Sequence, residues 1–434
     1  MARIRPFRGL RYDPNRAGDP ATVMSPPYDV VDDAMRRELA ARSPNNSIRY
    51  VLPEGEGAQR YENGAHEFRA QVARAMVRDA TPAFYVYHQH YTVEGQARTR
   101  RGFIGLIELT RFGEGPVLAH ERTLAGPKQD RLDLMRATQA HLELVFGLFS
   151  DPGRRWESIV APALGEPVLS ARFDEIDHRL FRVDAPQITR AIVELVADLR
   201  IYIADGHHRY ETMCTFRDEL AARGHKAAQW GMIYLANLDD PELTVLPTHR
   251  LVHSLPRVEL AEVLAAAEPF FAIDTVPLPQ TGLELRNLLQ TAGKERAAFG
   301  LTVPGSGRLS LVVLRPDFDP AAAGLGELPP ALQRLDVVLL HELLLERALG
   351  ISKAAQAAKT NLRYEKSTDA AVELARTSNT GVQLLCFMNA TPVGDVRAVC
   401  DSGQVMPQKS TFFHPKIPNG LVVHDLSAAE GGEP

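Results

Sequence analysis

Arg200-Ile-Tyr-Ile-Ala-Asp-Gly-His-His-Arg-Tyr210 is the stretch whose reading decides the fold class. Arg200 to Ala204 is short, apolar and β-prone, the signature of a buried strand. From Tyr210 to Leu220, Met213, Phe216 and Leu220 recur at helical spacing. Between the two runs lie Asp205 and Gly206, so the segment predicts strand, tight turn and helix in an α/β (α+β) protein. With Asp205 as the helix cap, Gly206, His207 and His208 occupy the first turn, where unpaired backbone N–H groups and the positive dipole end suit an anion. Gly206 admits a ligand close to the backbone, Arg209 adds a permanent fork of donors for phosphate, and Tyr210 closes the motif. Either histidine can donate a hydrogen bond or shuttle a proton. The competing reading keeps Asp205 as a plain cap, the histidines as surface residues, and Arg209 paired with Glu211 or Glu219.

Working outward, Ala83 to Tyr91 and Thr99 to Leu109 are aromatic and β-branched runs split by Glu94-Gly95, which predicts a hairpin. A helix is expected over 130–140 and a strand over 142–149. Towards the N-terminus, Pro6 limits Ile4 to Arg11 to an edge strand, and Ser25-Pro-Pro-Tyr-Asp29 makes a rigid corner. Asp32 caps a helix over 34–41 that Pro44 ends. Towards the C-terminus, Pro247, Pro256, Pro277 and Pro279 place a boundary near residue 255. The domains expected are therefore 1–255, a smaller α/β unit over 256–425, and a frayed tail over 426–434. In the second unit, Leu332, Leu335, Leu339 and Leu349 mark an amphipathic helix that Gly350 terminates. Val382 to Met388 and Val396 to Val399 read as strands.

The chain has 434 residues, 45% apolar and 24% charged, with a formal charge of -5. That balance supports two packed units and argues against a duplex-DNA binder, which needs clustered Lys and Arg. Cys214, Cys386 and Cys400 are odd in number and widely spaced, so they are expected as buried reduced thiols. The start of the chain lacks a signal peptide's apolar run and no stretch of eighteen apolar residues occurs, so the expected location is the cytoplasm, without a membrane partner.

Several other polar clusters are candidates for the same pocket, each against the alternative of a solvated loop or strand end. They are His120-Glu121-Arg122, Lys128 with Arg131, and Thr248-His249-Arg250. Gly403 to Thr411 has part of the Walker A spacing, but Gln408 replaces the second glycine, and Pro415 and Pro418 forbid the following helix. Lys409, Ser410 and Thr411 remain candidates as ordinary phosphate-contacting side chains. His88 and His90 share a strand face without a matching carboxylate pair, and the chain holds no HExxH, GxSxG or GxGxxG motif.

Four blocks in order, Pro6-Phe-Arg-Gly-Leu-Arg-Tyr12, Ser25-Pro-Pro-Tyr-Asp-Val30, Ile203 to Glu211 and Met406-Pro-Gln-Lys-Ser-Thr411, resemble the bacterial and archaeal domain of unknown function 1015 family across essentially the whole chain. Gln408 and His414 depart from the proline and tyrosine of that pattern. The resemblance implies a ParB/sulfiredoxin-like first domain with the hairpin as an insertion. In that fold a Gly-x-x-Arg turn holds nucleotide phosphates, matched here by Gly206 to Arg209. Sulfiredoxin carries a reactive cysteine where this chain has His207, so thiol repair is not implied. The free serine kinases of the same superfamily imply a nucleotide-dependent kinase of a small hydroxyl metabolite such as L-serine. Asp205 or Glu121 would orient the hydroxyl, His207, His208 and Arg209 would hold phosphate of ATP, ADP or CTP, and Mg²⁺ would offset charge. Arg8, Ser25, Tyr28, Asp29 and His249 are the expected substrate-side residues. The other readings are a phosphate-ester or nucleotide hydrolase and a non-enzymatic nucleotide sensor or partner-binding module; a homo-oligomer stays open.

Overall fold

Alternating aromatic and β-branched residues make the strands Phe84–Val93 and Gln96–Glu108 the spine of the first unit, paired antiparallel with Val93 opposite Gln96. Gly95 turns the hairpin at φ 72°, a backbone state that favours glycine. The computed structural model describes residues 1–93, 95–121, 123, 125–224 and 229–427, so Glu94 of the expected turn lies outside the described residues. The hairpin sits in a nine-stranded sheet that runs Val117–Leu118, Ile201–Asp205, Val145–Phe149, Trp230–Asn237, Gln96–Glu108, Phe84–Val93, Ile176–Val183, Leu169–Phe173, with Ile4–Arg5 added on Gln96–Glu108. Pairing is mixed: Trp230–Asn237 runs parallel to Val145–Phe149, and Ile201–Asp205 antiparallel to it. Helices Pro186–Ala197 and His207–Ala221 send Ile192, Val196, Tyr210, Met213 and Phe216 into one apolar core with Phe84, Phe103 and Ile233. A second core gathers Tyr12, Tyr50, Phe68, Leu134 and Leu142 beside helices Gly57–Ala75 and Ala125–Thr138.

The chain divides into two compact units, one of Met1–Ala119, Thr123–Leu243 and Pro415–Pro434, the other of His120–Arg122 and Thr244–His414. The second unit begins at Thr244, before the prolines used to place its boundary, because strand Thr244–Leu246 pairs with Phe412–His414 and His249–Val252 pairs with both Leu362–Glu365 and Leu384–Met388. The chain's end returns to the first unit, where His424–Asp425 pairs with Ala140–His141. Leu426, expected in the tail, is buried at 3% exposure, and 428–434 lie outside the described residues.

The second unit is built on a six-stranded antiparallel sheet ordered Phe271–Pro277, Arg308–Leu314, Ala298–Thr302, Leu384–Met388, His249–Val252, Leu362–Glu365. Helices Gly282–Ala292 and Thr368–Arg376 place Leu285, Leu289, Ala371 and Val372 against Leu251, Leu385 and Phe387. The leucine-rich helix is Asp336–Leu339 continued as a π-helix over Leu340–Ala348, with Gly350 at φ 68° beyond it. Val396 to Val399 is not a strand: it lies in helix Val393–Asp401. Val396, Val399 and Cys400 are its buried residues, an i, i+3, i+4 stripe that the β-branched composition masked. All three cysteines are free and buried. Among the described residues no helix is long and apolar enough to cross a membrane.

Candidate functional site

Strand Ile201–Asp205 carries a register shift against Val145–Phe149 between Ile203 and Asp205. A bulge at a strand end re-aims the following side chain, here Asp205. Asp205 is the last strand residue rather than the helix cap: Gly206 caps helix His207–Ala221 at φ 88°, without a side-chain cap bond. The αL conformation, accessible to glycine at low cost, explains why the cap fell one residue later than the expected aspartate. A Cβ at Gly206 would come within 2.9 Å of Arg209 Nε, so the absent side chain also makes room for that guanidinium.

Arg209 donates from Nη2 to Asp205 Oδ2 at 2.5 Å and from Nη1 to the Leu144 carbonyl, while Lys416 Nζ donates to Asp205 Oδ1. Burial pushes Arg209 down, but Asp205, Glu143 and Asp29 more than offset it and hold the guanidinium above its ordinary value. Beside it, the buried Arg131 bonds Glu143 at 3.2 Å, Asp130 at 2.6 Å and the Val51 carbonyl, and lies 4.2 Å from the centre of the Tyr28 ring. Tyr28 also donates its backbone N–H to Glu143, and burial pushes its phenol up to about 12. A cavity of about 30 Å³ lies among Arg131, His141, Glu143 and Arg209, room for about one water. Arg131, Tyr28, Asp29, Asp205, Gly206 and Arg209 therefore meet as one polar cluster, with Glu143 and Lys416 as members.

The remaining expected residues of the first unit have other neighbours. His207 is buried with its ring 6.5 Å from Phe112, whereas His208 stays partly exposed. Tyr210 stacks on Phe112 and donates its hydroxyl to the Thr110 carbonyl. Lys128 pairs with Glu211 at 3.0 Å. Ser25 shares a hydrogen bond with Ser47, and Arg8 donates to the Asp79 carbonyl.

A second group forms within the second unit. His120 bonds Thr411 at 2.9 Å, Glu121 accepts the Lys409 N–H, and the Lys409 carbonyl accepts from Arg250. Ser410 donates to the Pro407 carbonyl. His249 is fully buried: its Nδ1 accepts from Met388 N, so Nε2 donates to Thr368, and burial pushes it down to about 3. Arg122 lies outside the described residues.

Sequence reading missed Glu143 and Lys416. Glu143 had a signal, a carboxylate inside the apolar run Leu142-Glu-Leu-Val145. Lys416 had only its place between Pro415 and Pro418.

A family model described as Protein of unknown function (DUF1015) matches residues 4–338. The chain belongs to this family. The match spans Asp205 to Arg209 and ends before the Met406 to Thr411 block, so it covers less of the chain than the resemblance implied. No curated protein matches the chain. Among solved structures, a conserved hypothetical protein from Pyrococcus furiosus is similar at 13% identity and TM-score 0.34, over 72% of this chain and 93% of that one. A free serine kinase in complex with AMP is similar at 11% identity and TM-score 0.35, over 71% and 88%. SbnI with a C-terminal truncation, from Staphylococcus aureus, is similar at 10% identity and TM-score 0.33, over 74% and 88%. Likenesses this loose carry nothing about activity.

Proposed function

We infer that the Asp205 to Arg209 turn is the phosphoryl-transfer centre of a nucleotide-dependent kinase acting on a small hydroxyl compound, with L-serine the first acceptor to test. The observation that supports it is a single carboxylate, Asp205, held by two cations, Arg209 and Lys416, where a left-handed glycine opens a fifteen-residue helix. Phosphoryl transfer is mostly positioning and charge neutralisation, and this turn concentrates the required groups. Helix N–H groups and His208 take phosphate oxygens. His207, packed by Phe112, orients the turn. On the same reading the first unit is ParB/sulfiredoxin-like, with Gly206 to Arg209 as its phosphate-holding turn.

In the transfer, the acceptor hydroxyl oxygen bonds the terminal phosphorus as the bridging P–O bond breaks, and the nucleotide leaves with the bridging oxygen. Lys416, on a flexible stem, moves from Asp205 to the phosphate oxygens, freeing Oδ1 to take the hydroxyl proton. Among the described residues no group of three His, Cys, Asp or Glu is arranged to hold a metal. Mg²⁺ would instead arrive with the nucleotide phosphates, where Asp29 would be its protein contact, and it would offset phosphate charge.

The test is to incubate the protein with Mg²⁺ and ATP, ADP or CTP, with and without L-serine, and follow products by phosphorus NMR. Phosphoserine is expected, with turnover lowered by about 10²–10⁴ in Asp205→Asn. Unchanged turnover in that variant removes the turn from the chemistry. Serine-independent phosphate release would favour a hydrolase, and nucleotide binding without turnover a sensor.

A further inference from the structure

The second unit contains a cavity of about 390 Å³ lined by Arg250, Met388, Asn389, Ser410, Asp336 and Asp395, among others. Arg250 is 2% exposed. Its Nε donates to His341 Nε2, Nη1 to the Thr248 carbonyl and Nη2 to the Lys409 carbonyl. All three acceptors are neutral. Gln356 donates its amide to the Ile351 carbonyl, which leaves its Oε1 to accept from His341 Nδ1 at 2.7 Å. That bond fixes the tautomer in which His341 Nε2 is an acceptor, and burial pushes the ring down to about 3. Burial also lowers Arg250, opposed by Tyr364, Cys386 and Glu121. Three of the five guanidinium N–H groups are accounted for by these bonds, so the side chain has capacity for an incoming acceptor.

On the same cavity Asp336 and Asp395 show the opposite deficiency. Burial raises Asp336 to about 7 despite hydrogen bonds from the Ala298 backbone and Asn389, and Asp395 pushes in the same direction. Burial raises Asp395 as well. Neither carboxyl forms an ion pair among the described residues. One cavity is thus lined by a buried cation whose hydrogen-bond partners are neutral and by two carboxyls without an ion-pair partner among the described residues. An isolated charge in a low-dielectric site is costly until an opposite charge arrives.

We propose that this cavity binds a small zwitterion of α-amino-acid size, its acid group meeting Arg250 and its ammonium meeting Asp336 and Asp395. The volume sits near the lower end of small-molecule sites, which span about 300–1,000 Å³. Exposed Lys294, Arg296 and Arg334 at the rim outnumber Glu295 and draw the acid end inward. The proposal stands independently of the kinase reading.

Its test is calorimetric titration of the full chain, without nucleotide, using L-alanine, L-serine and L-glutamate, with acetate and ethylamine as single-charge probes. At least one amino acid is expected to bind about tenfold or more tighter than either single-charge probe. Asp395→Asn, on a helix surface and so expected to fold, should weaken that binding by about tenfold. The proposal is overturned if no amino acid binds or if acetate binds as tightly. It is equally overturned if Lys416→Ala loses the binding while Asp395→Asn keeps it, since the ligand would then belong to the turn of the first unit.

Discussion

Each unit buries arginine, and the two do so in opposite ways. In the first, Arg131 and Arg209 face Glu143, Asp130 and Asp205, and both are held above their ordinary value against the cost of burial. In the second, Arg250 faces a neutral imidazole and two carbonyls and is driven down. The first arrangement is internally neutralised, so a ligand there must exchange partners with the protein, as proposed for Lys416. The second has no ion pair to Arg250, on which Glu121 acts only from beyond hydrogen-bond reach, so the ligand proposed there would add the direct charge contact that is missing.

The sharpest way to break this contrast is to remove the charge from each. Arg131→Met removes the directly paired cation from buried Glu143 and from Asp130, and should cost about 3–5 kcal/mol in urea unfolding. Arg250→Met removes an equally buried cation but orphans only neutral acceptors, and should cost about 1–3 kcal/mol. Equal losses would mean that Arg250 has a carboxylate partner in solution.

Both units bury histidines, His249 and His341 in the second being lowered to about 3, so the contrast in pH lies in a carboxyl. Burial lowers His141 to about 3, His178 to about 4 and His424 well below its ordinary value, all within the first unit. Each is neutral when folded, so its contribution is complete above its unfolded value of about 6.5 and is lost as pH falls towards the folded values. Asp336 has the reverse sign. Its ordinary value is 3.8 and its folded value about 7, so its contribution is complete below 3.8 and is lost as pH rises through 7. Asp336→Asn should therefore stabilise the protein at pH 7.5, on the order of 1–4 kcal/mol, and change little at about pH 3.5. Urea midpoints at the two pH values check this; equal shifts at both would contradict the assignment.

What the sequence made legible follows the range of the interactions. Strand, turn and helix around Asp205 could be read because apolar runs and helical spacing are local. The cap could not, because a bulge set by pairing with Phe146 moved it onto Gly206. Val396 to Val399 misled because β-branched residues serve a buried helix stripe as well as a strand. Lys416 and Asp205 lie 211 positions apart, and of the three acceptors of Arg250 only Thr248 is near it in sequence, the others being His341 and Lys409, so the long-range contacts of both clusters had no local signature.

Two smaller effects sharpen the picture of the first turn. Gly206→Ala forces a side chain into the left-handed region and against the Arg209 guanidinium, which should cost about 1–2 kcal/mol and lower any turnover that depends on Asp205. Lys128→Ala removes the same kind of charge pair without the burial: Lys128 and Glu211 meet at 3.0 Å with side chains 36% and 32% exposed. Water already solvates both partners, so the loss should stay within about 1 kcal/mol and shrink further in high salt. If Lys128→Ala instead costs as much as Arg131→Met, the ordering of these pairs is set by something other than burial. If it leaves stability intact yet reduces turnover, Lys128 contacts the substrate, and Glu211 is its partner only until phosphate arrives.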